Sequence, residues 1–166
     1  MKELIAAGFL FLSSPAQAAE DKIVWNVDKH IQCLALNMYH EARDQGTAGK
    51  LAVSAVVMNR VSDSRFPNTI CEVVKQGPTR KSWRDPSVSY PIKNKCQFSW
   101  FCDGKSDEPK DSKTWEVCLQ IAQSFIKEEQ IDITEGAMWY HADYILPYWA
   151  EHLNNTVYIN NHIFYK

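Results

Sequence analysis

An apolar stripe at helical spacing, with one carboxyl group at its edge, constrains the fold of this chain more than any other feature. The segment covers residues 31–43, and its apolar positions are Ile31, Leu34, Ala35, Met38 and Ala42. This spacing predicts an amphipathic helix that packs its stripe into a core. Glu41 follows Met38 by three positions and Asn37 lies one turn before Glu41, so both sit beside the stripe.

The position of Glu41 indicates a carboxyl group that holds its proton unusually well. Burial disfavours the charged form, so a half-buried glutamate without a fixed cation stays protonated to higher pH. Arg43 projects away from the stripe and is a poor ion-pair partner. A carboxyl group that is protonated near neutral pH can act as the general acid in glycosidic cleavage. The alternative is a hydrogen-bonded, inert glutamate at the rim of a helix.

Capping residues and apolar periodicity predict further helices. Asp28 is expected to cap the first helix, and Thr47 the second, Lys50–Val61. Small apolar residues dominate this second helix, so we expect it to be the most buried. Thr69 and Glu72 form a capping box at the start of a short third helix.

The rest of the chain is predicted to be less regular. Prolines and polar residues between Thr79 and Asp111 indicate a long irregular region, with a short hairpin around Gln97–Trp100. A fourth amphipathic helix is expected over Ser112–Glu129. Alternating residues around an Asn-Asn turn predict a C-terminal β-hairpin between Thr156 and Tyr165.

The first nineteen residues have the pattern of a secretory signal peptide. Lys2 is positive, Leu4–Leu12 is a short apolar run, and Ala16-Gln-Ala18 matches an A-x-A cleavage site. We therefore expect residues 1–19 to be removed and residues 20–166 to form a secreted or periplasmic domain without stable membrane insertion. An uncleaved anchor or a buried strand is the alternative.

Composition limits the partners of this domain. With 166 residues the chain is long enough for one domain with a real core. A formal charge of −2 offers no attraction to nucleic acid and little to an anionic cell wall.

Five cysteines suit an oxidising compartment, and their odd number leaves one thiol free or paired between chains. Cys96 and Cys102 flank a short loop and are candidate partners. Cys33 and Cys118 lie on predicted helices and form a second candidate pair, whereas Cys71 could pair with Cys96 instead. The sequence contains no C-x-x-C pair, which argues against a structural zinc site.

Several motifs follow one another in a fixed order. The main ones are Tyr39-His-Glu-Ala-Arg43, Cys96-Gln-Phe-Ser-Trp-Phe-Cys-Asp-Gly104 and Asn161-His-Ile-Phe-Tyr165, with Asn59-Arg-Val61 and Phe66-Pro-Asn-Thr69 between them. Together they resemble the SleB-type cell wall hydrolases over nearly the whole mature chain. The resemblance implies a mainly α (α+β) fold: a lysozyme-like helical domain with a long irregular loop region and a short C-terminal β-hairpin. It also implies cleavage of peptidoglycan glycan strands, with Glu41 as the catalytic glutamate.

Polar groups beside aromatic faces are what a sugar-binding loop requires, and residues 97–100 supply them. The resemblance places this loop across the cleft from Glu41, with Ser99 nearest, and places Tyr140 and His141 along the groove. The expected substrate-binding residues are Asn37, Gln97, Phe98, Ser99, Tyr140 and His141. The alternatives are a disulfide-bounded turn with a core phenylalanine, and a structural Tyr-His pair.

Glycosidases usually place two carboxylates around the scissile bond, and this sequence offers no clear second one. Asp44 turns away from the apolar face, and Asp103 and Asp143 lie in predicted loops. A lone acid can protonate the leaving oxygen and then take a proton from the sugar's own hydroxyl group, which gives an anhydro sugar. We therefore expect a lytic transglycosylase, with a hydrolytic muramidase as the alternative.

Other classes of wall-directed protein fit less well. His40-Glu41 lacks the second histidine of H-E-x-x-H, although His141 and Asp143 with His152 or His162 could form a zinc peptidase site. Cys33 or Cys71 could serve a thiol peptidase, but an oxidising compartment disfavours a free catalytic thiol. An inactive glycan-binding module is the third alternative, and the presence of Glu41 argues against it. We expect no metal and no cofactor.

Overall fold

The computed structural model describes residues 15–128 and 131–166, with residues 15–27 described by backbone alone. Helices and two small sheets make up this part of the chain, so the predicted α+β class is confirmed. In chain order the elements are α1 (Pro15–Ala42), α2 (Thr47–Ser62), α3 (Ile70–Val74), β1 (Thr79–Lys81), β2 (Ser89–Pro91), a 3-10 helix (Ser99–Cys102), α4 (Ser112–Lys127), β3 (Trp139–Ala142), a second 3-10 helix (Ala150–His152), β4 (Asn155–Ile159) and β5 (His162–Tyr165).

The predicted stripe of α1 lies at the centre of the core. Leu34, Met38 and Ala42 have no exposed surface, and α2, α3 and α4 all pack against this helix. The loop that follows β2 also reaches it, because the Trp100 indole Nε1 donates a hydrogen bond to the Asn37 side-chain oxygen at 3.2 Å. The face of α1 that carries the stripe therefore fixes where the other elements can lie.

The second helix is strongly buried, as predicted, but it begins earlier than predicted. It starts at Thr47 with Gly46 at the N-cap, so the prediction that Thr47 caps this helix is wrong. Lys50 is only 5% exposed. Its ammonium group turns back to donate hydrogen bonds to the carbonyl oxygens of Arg43, at 3.2 Å, and Gln45. These contacts satisfy carbonyl groups just after the end of α1 and hold the two helices together.

The other predicted helix starts have mixed outcomes. Asp28 does not cap α1, because the helix extends back to Pro15 and Asp28 lies exposed within it. Thr69 caps α3 as predicted, because its hydroxyl accepts a bond from the Glu72 backbone amide. The Glu72 carboxylate accepts from the Thr69 hydroxyl at 2.7 Å, in place of the backbone N–H that a full capping box would use. The fourth helix begins at Ser112, where the Asp111 side chain caps it.

The region between α3 and α4 contains a hairpin, but not where the sequence predicted one. β1 and β2 pair antiparallel, whereas residues 99–102 form a 3-10 helix, so the predicted hairpin at Gln97–Trp100 is wrong. The reason is the burial of Phe98 and Trp100, which turns this segment inward against the helices.

The C-terminal hairpin is confirmed as β4 and β5, with Asn160 at a left-handed φ of 51° in the turn. A third strand, β3, was not predicted and pairs with the other edge of β5. Phe164 is fully buried and packs with Ala52 and Val56 of α2. This contact holds the sheet on the helices and places β3 beside the end of α1.

Two disulfides link the cysteines, Cys33–Cys71 between α1 and α3 and Cys96–Cys102 within the loop. The second pairing was predicted. The alternatives that joined Cys33 to Cys118 and Cys71 to Cys96 are wrong, because Cys33 pairs with Cys71 and Cys96 with Cys102. Cys118 is left as a free thiol, buried on α4. Burial raises the pKa of this thiol above its usual value, which keeps it protonated and unreactive.

The predicted signal peptide falls mostly outside the described residues, which begin at Pro15. Its last residues form the start of α1. Within residues 15–128 and 131–166, no helix combines the length and apolar character needed to cross a bilayer.

The two disulfides should differ in their contribution to stability. The Cys33–Cys71 bond closes a segment of 38 residues and Cys96–Cys102 one of 6. Chain entropy then predicts losses in unfolding free energy of about 4 and about 2 kcal/mol when each pair is replaced by alanine. Urea unfolding of the two double variants measures this difference, and an equal or reversed order would contradict it.

Candidate active site

Glu41 lies in the last turn of α1 and is half-buried, as the sequence predicted. The Tyr140 hydroxyl donates a hydrogen bond to the Glu41 Oε2 atom at 3.0 Å. Tyr140 comes from β3, and its ring packs between His162 and Phe164 of β5 at centroid distances of 4.9 and 5.4 Å. The unpredicted strand therefore holds the hydroxyl group that orients this carboxyl.

The carboxyl group opens into a cleft of about 310 Å³ between the helices and the sheet. Aromatic rings and polar groups line it together, a combination suited to sugars, which offer both C–H faces and hydroxyl groups. The lining residues are Glu41, Arg60, Cys96, Gln97, Phe98, Trp139, Tyr140 and Trp149.

Burial raises the pKa of Glu41 above its ordinary value. The hydrogen bond from Tyr140 and the charge of Arg60 act in the opposite direction, and burial is the larger effect. Burial and the neighbouring Glu41 together raise the pKa of Tyr140 well above its usual range. Tyr140 thus remains a hydrogen-bond donor, and Glu41 is a carboxyl group that keeps its proton to higher pH than an exposed glutamate does.

Arg60 is the cation of this site, and sequence reasoning missed it. It is 3% exposed and comes from the C-terminal end of α2. Its Nε donates to the Met138 carbonyl oxygen at 2.8 Å, and its guanidinium lies 5.3 Å from the ring centres of both Phe66 and Phe98. Burial lowers its pKa to about 10, so the group stays charged at neutral pH.

The guanidinium retains an unused donor, because its Nη1 atom is buried without a partner among the described residues. The expectation that Glu41 lacks a fixed cation is therefore corrected: Arg43 is exposed, but Arg60 acts on the carboxyl from a second helix. The signal in the sequence was the place of Arg60 within the most apolar helix, where a charged side chain that is buried needs partners.

Gln97, Phe98 and Tyr140 line the Glu41 cleft, as the sequence analysis expected. Trp139 and Trp149 line it too and were not predicted. Their signal was the aromatic clustering in the C-terminal region, whose placement on the cleft depends on long-range pairing of β3 with β5.

The other three expected residues lie around the cleft rather than among its lining groups. Asn37 is fully buried one turn behind Glu41, and its side-chain nitrogen lacks a described partner. Ser99 is exposed at the start of its 3-10 helix. His141 is 7% exposed, and its ring nitrogens contact the Tyr165 hydroxyl and the Ala142 carbonyl oxygen, each at 2.9 Å. Their contacts with a glycan stay predictions.

No second carboxylate lines the cleft in the part of the chain that the structure describes. Asp44 is exposed. Asp103 lies 3.7 Å from the Lys105 ammonium in a separate depression, and the Asp143 carboxylate accepts a bond from the Tyr158 hydroxyl at 2.6 Å. The described residues also contain no cluster of three or more histidine, cysteine or acidic side chains suited to a metal ion.

Comparison with known proteins identifies the family. A family model described as Cell Wall Hydrolase matches residues 44–165. The chain belongs to this family. The matched segment starts just after Glu41, so the assignment of that residue depends on the geometry of the cleft and on the Tyr39–Arg43 motif. The predicted resemblance to SleB-type hydrolases is confirmed.

Two solved structures share the fold with a TM-score of 0.58 and 25% sequence identity, and each match covers 82% of this chain. One is the catalytic domain of the Bacillus cereus SleB protein, of which 89% is covered. The other is the catalytic domain of the germination-specific lytic transglycosylase SleB from Bacillus anthracis, of which 93% is covered.

A curated relative, a spore cortex-lytic enzyme of Bacillus cereus, is 43% identical over 44 residues. This alignment spans 26% of the present chain and 17% of the relative. The cell wall hydrolase thus matches that longer protein over a short segment only.

The raised pKa of Glu41 makes a prediction about stability. The folded state binds the Glu41 proton more tightly than the unfolded state, so this contribution to stability is present at low pH and lost as the pH rises through the folded-state pKa. Glu41→Gln removes the titration. We expect the melting temperature of the variant, relative to that of the wild type, to increase between about pH 4 and about pH 8.

Thermal unfolding across this pH range tests the prediction. Glu116→Gln, an exposed change on α4, controls for the substitution itself. A difference between Glu41→Gln and wild type that stays constant with pH would contradict the raised pKa.

Proposed function

We propose that this protein cleaves the glycan strands of peptidoglycan between N-acetylmuramic acid and N-acetylglucosamine as a lytic transglycosylase. The observation that carries the proposal is a single carboxyl group with a raised pKa in an aromatic-lined cleft, without a second carboxylate among the described lining residues. The likeness to a solved lytic transglycosylase domain supports it.

In the first step Glu41 acts as the general acid. Its proton passes to the glycosidic oxygen as the bond between that oxygen and the anomeric carbon of the muramic acid breaks. Positive charge develops on the sugar ring, and Glu41 becomes a carboxylate. The Tyr140 hydroxyl and the Arg60 charge both favour that anion, so they stabilise the Glu41 carboxylate once its proton has passed to the glycosidic oxygen.

In the second step the same carboxylate acts as a base. It takes the proton of the muramic acid 6-hydroxyl as that oxygen bonds to the anomeric carbon, which closes a 1,6-anhydro ring and restores protonated Glu41. One residue suffices because the nucleophile belongs to the substrate. A hydrolytic muramidase would instead need a carboxylate placed to activate water.

The surrounding residues would hold the sugar in place. Trp139 and Trp149 offer half-buried rings for the C–H faces of the glycan, and Gln97 offers an amide for its acetamido group. Ser99 and His141 are proposed to contribute from the edges of the cleft. Asn37 would position Trp100 and, through it, the loop.

The proposed setting is outside the cytoplasm. A secretory signal peptide over residues 1–19, two disulfides and a wall-directed family agree with a secreted or periplasmic enzyme whose partner is the glycan strand. The formal charge of −2 gives no reason to expect nucleic acid as a partner.

Glu41→Gln should abolish wall lysis while the fold persists. The amide is nearly isosteric but cannot donate an acidic proton, so a loss of at least about 100-fold is expected. Turbidity of purified sacculi measures the rate, and circular dichroism checks the fold. Retention of more than about a tenth of wild-type activity would exclude Glu41 as the general acid.

The reaction products decide between the two glycosidase mechanisms. Mass spectrometry of released muropeptides should find anhydro ends, lighter than the hydrolytic product by one water, about 18 Da. Reducing ends alone would identify a muramidase and direct attention to Asp103 or Asp143 as the base. New free amino groups would identify a peptidase, and binding without release would identify a glycan-binding module.

A further inference from the structure

The β1–β2 hairpin projects from the domain and takes little part in its core. Apart from the partly buried Ser82, residues 78–90 are exposed. Two-stranded hairpins are marginally stable alone, and this one pairs over only three residue positions. Its side chains therefore contribute little to the core and are available to contact another molecule.

Positive charge is concentrated in and around this hairpin. Residues 75–95 contain six of the 18 basic residues and one of the 20 acidic ones, a formal charge of +5. The rest of the chain consequently carries −7. The one acid, Asp85, accepts hydrogen bonds from Ser87. In the described chain, none of the basic residues of the hairpin forms a salt bridge.

Aromatic rings lie among these charges. Trp83 is 86% exposed, and the Arg84 guanidinium lies 5.0 Å from its ring centre. Tyr90 is 52% exposed and pairs across the strands with Arg80. Together with Lys81, these side chains border an open depression of about 630 Å³. Such a surface offers both charge and ring faces to a ligand.

The base of the hairpin lies beside the residues that line the Glu41 cleft. The backbone N–H of Gln97 donates to the backbone carbonyl oxygen of Gln76 at 2.8 Å. The two ends of the segment that carries the hairpin therefore meet beside the lining residues Cys96 and Gln97. Gly77 is required there, since a Cβ atom would come within 2.9 Å of the Cys96 Cα. A polymer that leaves the cleft on this side would meet the hairpin next.

We propose that the β1–β2 hairpin is a second binding surface for the same wall polymer, and that its basic residues engage the carboxylates of the peptides attached to the glycan. The inference rests on the proposed function for the identity of the polymer. An anionic lipid surface is the other ligand of matching charge. The wall polymer is favoured because the base of the hairpin lies beside lining residues of the cleft in which that polymer is proposed to bind.

The experiment compares two matched triple variants. Arg80→Gln/Lys81→Gln/Arg84→Gln removes the charge of the hairpin. Lys110→Gln/Lys113→Gln/Lys127→Gln removes three exposed charges at or near the two ends of α4. The two variants have the same net charge as each other, because each loses three positive charges. Equal melting temperatures would show that both fold. Binding to purified sacculi is measured in the Glu41→Gln background, and cleavage of a short soluble glycan fragment in the active background.

The hairpin variant should bind sacculi about three- to tenfold more weakly than the α4 variant at physiological salt, since exposed ion pairs contribute modestly. The difference should collapse near about 1 M salt. Cleavage of the short fragment should stay within about twofold of wild type for both, because modest exposed contacts outside the cleft do not act on the transition state.

Equal binding of the two variants to sacculi would overturn the proposal. The proposal would also be overturned if the hairpin variant lost binding to vesicles of anionic phospholipid but not to sacculi. That result would make the hairpin a membrane-binding surface. If the active protein released no glycan ends while the hairpin variant still lost sacculus binding, the proposed catalysis would fail and the binding surface would stand.

Discussion

The burial of one face of α1 is the constraint on which the rest of the structure depends. Leu34, Met38 and Ala42 are fully enclosed, and three other helices and the Trp100 loop complete that enclosure. A fully buried leucine or methionine side chain contributes about 1.5–3 kcal/mol, so the stripe is a large share of the marginal stability of such a domain. Glu41 lies at the edge of this face, where the core ends and the cleft begins.

Part of this arrangement can be predicted from local sequence. The stripe of α1, the Thr69 cap of α3, the start of α4 and the β4–β5 hairpin each depend on residues within a few positions of one another. Helical spacing likewise places Glu41 at the rim of the stripe, whereas its role as the catalytic acid was predicted from the resemblance to the family.

What could not be predicted depends on residues far apart in the chain. The Tyr140 hydroxyl reaches Glu41 across 99 positions, and the Arg60 contact with Met138 spans 78. The pattern of apolar residues within β3 or α2 does not indicate that these two elements meet at the end of α1. The incorrect prediction of a hairpin at Gln97–Trp100 has the same cause. Local polarity suggested a hairpin, whereas the rings of Phe98 and Trp100 are buried in the core by contacts with distant residues.

The place of Glu41 along α1 has an electrostatic consequence of its own. The peptide dipoles of a helix sum to a partial negative charge at its C-terminus, which disfavours an anion in the last turn. Glu41 is the penultimate residue of α1, so the backbone itself opposes loss of its proton. The same glutamate one or two turns earlier would feel less of this field. Where the helix stops is thus a further influence on the proton affinity of this group, beside burial and the hydrogen bond from Tyr140.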